Sequence, residues 1–289
     1  MHGEAVLLAL AAAGFFGLAL VLTQFGLRHA EPARGAAISV STTAAAFLLA
    51  SPVLVDWDAA AVPGALVFAA IGLLFPVCVT MLTFRANKQL GPHVTGALGN
   101  MAPLFAVVFA AVLLGEVPGP AQALGAVIIV AGATILVLAS ARTVGRVARL
   151  ALLLPLAAAL IRGAAQPVVK IGFESWPDPF AAACIGYLVS AAVTAVIVTA
   201  RRQPTGASGS RRAVLWFAAV GLCNGAALTT MYAALSHGPV ALVAPLVATY
   251  PIATLGFGAV LLRSARVGPQ VALGVAVTVA GVALLLATR

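Results

Sequence analysis

Arg162, Gln166 and Lys170 recur at four-residue intervals, a spacing that stacks three side chains along one face of a helix. A guanidinium, an amide and an ammonium so arranged can hold a carboxylate through charge-assisted hydrogen bonds. Pro167 falls within the same stretch and has no N–H to offer Gly163, which frees a carbonyl beside Arg162 for an ammonium group. Asn100, Met101 and Pro103 form a second group, and Thr249, Tyr250 and Pro251 a third. Methionine and tyrosine suit a flat apolar ring through polarizable and quadrupolar contacts, with Asn100 as a hydrogen-bonding partner. Tyr232, Asn224 and Gln24 complete the candidate binding residues. In the competing reading Lys170 snorkels to an interface, Arg162 caps carbonyls of a neighbouring helix, and the aromatic residues are packing groups.

The elements that must carry these residues are set by composition. The chain has 289 residues, 63% hydrophobic and 8% charged, whereas soluble domains are roughly a quarter charged. A bilayer core about 30 Å thick needs about 20 apolar residues in a helix, and ten such stretches can be read. They span residues 5–26, 35–55, 63–84, 92–114, 121–139, 149–172, 179–200, 212–235, 240–262 and 268–286. Lipid offers no partner for an exposed N–H or C=O, and the runs are too long and unalternating for barrel strands, so the expected class is an all-α membrane protein. Met1 to Glu4 supplies no basic flank, which marks the first run as a mature helix rather than a signal peptide. Cys78, Cys184 and Cys223 all fall inside apolar runs, where packing is their expected role.

A net charge of +9 does not imply nucleic acid, because the cations sit at helix ends rather than in one patch. Segments after the odd-numbered runs hold Arg28, Arg34, Arg85, Lys88, Arg142, Arg146, Arg149, Arg201, Arg202, Arg211, Arg212, Arg263 and Arg266. Segments after the even-numbered runs hold Asp56, Asp58, Glu116, Glu174 and Asp178. The positive-inside rule then places the odd segments in the cytoplasm and both termini outside, as in a multi-pass protein of a bacterial-type inner membrane. Trp57 and Trp176 are expected at the outer interface and Trp216 at the inner one.

An offset of about 147 residues brings the chain into partial register with itself. Gly17 and Gln24-Phe25-Gly26 correspond to Gly163 and Lys170-Ile171-Gly172; Leu90-Gly91-Pro92 corresponds to His237-Gly238-Pro239, and Pro103 to Pro251. Gly125 and Gly132 recur as Gly274 and Gly281. The expected organisation is residues 1–140 as one five-helix repeat, 141–148 as a cytoplasmic connector and 149–289 as the second repeat. Five is odd, so the two halves enter the membrane in opposite senses, as two inverted repeats (5+5). Such repeats place a substrate site near the midplane, with access alternating between the two sides. Pro103, Pro167, Pro245 and Pro251 are the candidate hinges. Gln203 to Ser210 reads as a flexible cytoplasmic linker, and Gly221 with Gly225 as a close-packing step.

The two five-helix halves, the Gly-Pro openings of the fourth and ninth runs and the ending Leu113-Leu114-Gly115-Glu116 resemble the EamA family of the drug/metabolite transporter superfamily. Within it the chain is similar to the YddG-type aromatic amino-acid exporters in length and in its Pro-rich ninth helix. The resemblance implies export of small metabolites, aromatic amino acids foremost, with other small solutes such as drugs or nucleotide sugars as alternatives. The second half departs from the family ending, with Arg263-Ser264 in place of Gly115-Glu116.

No carboxylate lies at membrane mid-depth and no Gly-x-x-x-x-Gly-Lys-[Ser/Thr] loop is present, so facilitated diffusion is expected rather than ion- or ATP-driven pumping. A membrane-embedded enzyme would need a Ser-His-Asp set, a His-Glu-x-x-His helix or paired intramembrane carboxylates, and the sequence has none of these. The chain is therefore expected to be no enzyme, to need no cofactor or metal, and to engage a small-molecule substrate and the lipid bilayer but no nucleic acid. The sequence sets no oligomeric state, and a monomer is the simplest assembly.

Overall fold

A computed structural model describes residues 2–141, 150–200, 210–262 and 268–287. The expected connector beyond Ala141, most of the Gln203 to Ser210 linker, and Arg263-Ser264 lie outside the described residues. Within them the chain folds as α1 (His2–Leu27), α2 (Pro32–Leu54), α3 (Val62–Gly72), α4 (Val77–Gly99), α5 (Ala102–Leu114), α6 (Pro120–Ala141), α7 (Leu153–Phe173), α8 (Pro179–Ala200), α9 (Arg211–His237), α10 (Val240–Val247), α11 (Tyr250–Phe257) and α12 (Pro269–Ala287). A short π-helical turn, Gly258–Leu262, extends α11.

Among the described residues seven helical stretches are long and apolar enough to cross a bilayer, and Ala102–Leu114 and Pro120–Gly132 are apolar but shorter. For the fourth run the missing span has a physical cause. There α4 stops at Gly99 and α5 restarts at Ala102, with Pro103 in its first turn, where a missing N–H costs least. The same break recurs between Val247 of α10 and Tyr250 of α11, with Pro251 in the equivalent place. Pro167 and Pro245, by contrast, lie inside continuous helices. A third interruption sits at Gly91, whose φ of 78° and ψ of 169° leave the helical region in a way only glycine tolerates cheaply.

Close helix crossings occur in reciprocal pairs. A Cβ on Gly17 of α1 would lie 2.9 Å from the Tyr250 carbonyl oxygen of α11, and a Cβ on Gly163 of α7 would lie 2.7 Å from that of Ala102 of α5. Likewise Gly132 of α6 faces Thr278 and Gly274 of α12, while Gly281 of α12 faces Ile129 and Gly125 of α6. Small residues let membrane helices approach closely where lipid-like side chains give little driving force. Gly221 and Gly225 play that role for α9, set against Ser39, Thr43 and Phe47 of α2.

Two ends of the bundle are chemically distinct. At one, the Asp56 N–H donates to Asp178 Oδ2 at 2.9 Å, and the Trp57 and Trp176 rings lie 6.2 Å apart. At the other, Lys88 pairs with Glu31 at 2.7 Å, and Phe25 stacks on Trp216 at 4.8 Å. Asp56, Asp58, Glu116, Glu174 and Asp178 thus collect at an acidic end, while Arg28, Arg34, Arg85, Lys88, Arg211 and Arg212 collect at a basic end. Trp57 is exposed at the acidic end, but Trp176 is buried against Phe68 and so does not serve as the interfacial ring expected of it.

Candidate functional site

Six helices line a solvent-connected cavity. Its wall takes Phe16, Leu20 and Thr23 from α1, Val79, Thr80, Thr83, Phe84, Thr95 and Gly99 from α4, and Pro155, Ala158 and Arg162 from α7. Tyr187 of α8, Asn224 and Leu228 of α9, and Tyr250 of α11 close it, together with Phe75 and Pro76 between α3 and α4. Along α1 and α4 these residues fall in the parts nearer the basic end, and along α7 near its start, so the space runs from mid-bundle toward that end.

Beyond it toward the acidic end the bundle is packed. Phe68 and Phe173 meet with ring centroids 5.8 Å apart, Phe173 and Tyr232 at 6.3 Å, and Phe68 and Trp176 at 6.2 Å. The edge-on contacts of Phe173 with Phe68 and Tyr232 fill the centre, and the Trp176 Nε1 is buried in this layer without a partner among the described residues. This packed layer is backed by an ion pair. Lys170 pairs with Glu116, and the second Glu116 oxygen accepts from the Val240 N–H at 2.8 Å, at the start of α10. Lys170 Nζ also donates to the Gly238 carbonyl at 3.3 Å. Gly115, with φ of 67°, ends α5 in the left-handed conformation and turns Glu116 into this cluster.

Among the described residues Arg162 is the one cation on the cavity wall. Its guanidinium carbon lies 5.0 Å from the Phe16 ring centroid and 6.0 Å from that of Tyr250, within cation–π range. Its Nε is buried and has no hydrogen-bond partner among the described residues. Thr95 presents a second buried polar atom on the wall without a partner among the described residues, its Oγ1. The cause is local. Most buried threonine hydroxyls in the bundle bond back to a carbonyl three or four residues earlier, as Thr23 does to Ala19 at 2.7 Å and Thr254 to Tyr250 at 3.0 Å, although Thr229 Oγ1 is also buried without a partner among the described residues. Four residues before Thr95 stands Gly91, whose non-helical backbone withdraws that carbonyl.

Of the ten residues expected at the site, Arg162, Asn224 and Tyr250 line the cavity. Tyr250 is anchored by its hydroxyl, which donates to the Gly96 carbonyl across to α4. The others stand elsewhere. Lys170 shares a helix with Arg162, but its charge is taken by Glu116 at the acidic end. Gln166 is buried off the wall, with Oε1 unpartnered among the described residues. Asn100 is also buried off the wall, in the break between α4 and α5, and neither of its side-chain polar atoms has a partner there. Met101 caps α5 outside the lining. Thr249 donates to the Leu246 carbonyl, and Tyr232 belongs to the aromatic layer. Gln24 is held by Asn87, to whose carbonyl it donates at 2.9 Å, while Asn87 Nδ2 donates to the Leu20 carbonyl at 3.0 Å.

Phe16, Thr80, Thr83, Thr95 and Tyr187 are wall residues that reading the sequence missed. Thr80 and Thr83 do share a helical face with Phe84 and Val79, a spacing that marks one stripe of α4. Nothing in the sequence singles that stripe out from others of similar composition.

A family model described as the EamA-like transporter family matches residues 3–138 and again residues 149–287. One solved crystal structure superposes with a TM-score of 0.79 at 23% identity, covering 99% of this chain and 98% of the other, a likeness of fold alone. No curated protein matches the sequence.

Proposed function

The chain belongs to the EamA-like transporter family, and from that premise we propose that it is a carrier for small organic carboxylates, with aromatic amino acids among its exported solutes. The family makes it a multi-pass membrane protein with a small-molecule substrate, and a transporter rather than an enzyme. The observation that carries the narrower reading is the wall of the cavity, where a lone guanidinium with an unpartnered Nε faces apolar and aromatic groups. Arg162 takes the carboxylate, Thr95 and Asn224 offer neutral hydrogen bonds, and Tyr250 with Phe16 packs against the apolar body.

The carrier is read as ten spans in two inverted halves, residues 1–140 and 149–289, joined by a connector over 141–148. The broken pair α4–α5 and the broken pair α10–α11 then act as the fourth and ninth spans, hinged at Pro103 and Pro251. Reciprocal crossings of Gly17 with α11 and Gly163 with α5 support the two-fold relation. In this arrangement the cavity faces the basic end, which the positive-inside rule assigns to the cytoplasm of a bacterial-type cell, while the aromatic layer and the Glu116–Lys170 pair close the outside. Cells carrying a C-terminal alkaline phosphatase fusion should be phosphatase-positive; an inactive fusion of normal abundance overturns the orientation.

All seven Asp and Glu residues lie at helix ends or between helices, so no buried carboxylate is available to relay protons, and transport runs down the gradient of the solute. Purified protein in liposomes should therefore catalyse saturable counterflow of a labelled aromatic carboxylate without any imposed gradient. Uptake that requires a proton or sodium gradient overturns the mechanism, and counterflow confined to nucleotide sugars or quaternary amines overturns the substrate class.

A further inference from the structure

We infer that the ligand this cavity selects is an organic monoanion, a carboxylate on a flat apolar body without an ammonium group, in preference to the corresponding zwitterionic amino acid. The inference rests on the reading of the cavity as the substrate site and narrows its substrate class.

The argument is one of charge balance. A cation taken out of water needs an opposite charge close by, and the groups that meet Arg162 are neutral: the Phe16 and Tyr250 rings lie within cation–π range and the Tyr250 hydroxyl hydrogen-bonds to it. No carboxylate lines the cavity among the described residues. The acidic side chains all stand at the two ends of the bundle, and the one that reaches inward, Glu116, is already matched by Lys170 and the Val240 N–H. The protein thus supplies the positive member of an ion pair and leaves the negative member to the ligand.

A monoanion completes that pair and leaves the occupied cavity neutral. A zwitterion also completes it but brings an ammonium, so the occupied cavity keeps a net positive charge. That ammonium meets only neutral acceptors such as Asn224 and the hydroxyls of Thr80, Thr83 and Thr95. Water lost from an ammonium is poorly replaced by such groups. A cation adds a second positive charge beside Arg162 and is rejected outright. The aromatic residues Phe16, Phe75, Phe84, Tyr187 and Tyr250 on the wall match a planar apolar body.

Three probes of nearly equal size separate the charge states: 3-phenyllactate as the monoanion, phenylalanine as the zwitterion and 2-phenylethylamine as the cation. Titration calorimetry on the full-length protein at neutral pH should give 3-phenyllactate the lowest dissociation constant. Phenylalanine should be weaker by about tenfold and the amine without measurable binding. In Arg162→Gln, which removes the charge but retains hydrogen-bonding capacity, the preference for the anion over the zwitterion should shrink to within about twofold. Phenylalanine binding as tightly as 3-phenyllactate, or more tightly, overturns the inference while leaving the carboxylate carrier intact. Absence of saturable binding by all three overturns both.

Discussion

Replacing Arg162 with alanine is expected to raise the half-saturation concentration for a carboxylate solute by about 10- to 100-fold, with the thermal midpoint of the purified protein unchanged or raised. Hydrogen bonds to a charged group contribute about 1.5–3 kcal/mol, and each 1.4 kcal/mol or so is a tenfold change in affinity. The stability side follows from the same geometry. A partly buried guanidinium with no acidic partner among the described residues carries a desolvation cost that alanine removes. The cation–π contacts with Phe16 and Tyr250, worth about 0.5–2 kcal/mol together, are lost in exchange. Arg162→Lys keeps the charge but not the planar fork or the stacking, and should fall between wild type and alanine. Counterflow measured beside scanning fluorimetry checks both halves. Wild-type kinetics in Arg162→Ala removes the residue from the site, whereas a fall in thermal midpoint that tracks the loss of transport makes Arg162 a packing residue.

Arg162 could be read from the sequence because a cation some thirteen positions into an apolar run has no ordinary reason to be there. Lipid punishes it, so it must face the interior. The helix breaks at residues 100–101 and 248–249 were legible only in part: Pro103 and Pro251 occupy matched places at an offset of 148 and were read as candidate hinges, but so were Pro167 and Pro245, which lie inside continuous helices, and the runs themselves were read as unbroken. Lys170 was not legible in this way. Its four-residue spacing from Gln166 places it on the right face of α7, but its partner Glu116 is 54 residues earlier and arrives only through the packing of α5 against α7. Gln24 illustrates the same limit, since Asn87, which holds it, is 63 residues away. The threonines of the wall were hidden by their own chemistry. Most buried threonine hydroxyls here bond back to their own helix, and the irregular backbone at Gly91 leaves Thr95 Oγ1 without a partner among the described residues, which helical periodicity does not report.

Charge reversal at the acidic end is expected to slow transport strongly while barely changing affinity. Lys170→Glu sets a second carboxylate against Glu116 and the Gly238 carbonyl, three acceptors without a cation between them. The two side chains are 27% and 21% exposed, between the fully exposed pairs worth under about 1 kcal/mol and the buried ones whose breakage costs about 3–5 kcal/mol. A penalty of about 2 kcal/mol on the closed acidic end follows, which shifts the balance between closed and open by roughly 30-fold. Because the pair lies beyond the aromatic layer formed by Phe68, Phe173 and Tyr232, the solute-facing groups are untouched. The maximal rate should therefore drop by about an order of magnitude, with the half-saturation concentration within about twofold of wild type. The swapped pair Glu116→Lys with Lys170→Glu restores the opposite charges but places an ammonium at the Val240 N–H, so it should recover the rate only in part. Spin labels at the acidic end should report a wider distance distribution in Lys170→Glu than in wild type. An unchanged distribution together with an unchanged maximal rate would show that this ion pair does not hold the acidic end shut. Closure would then rest on the aromatic layer alone.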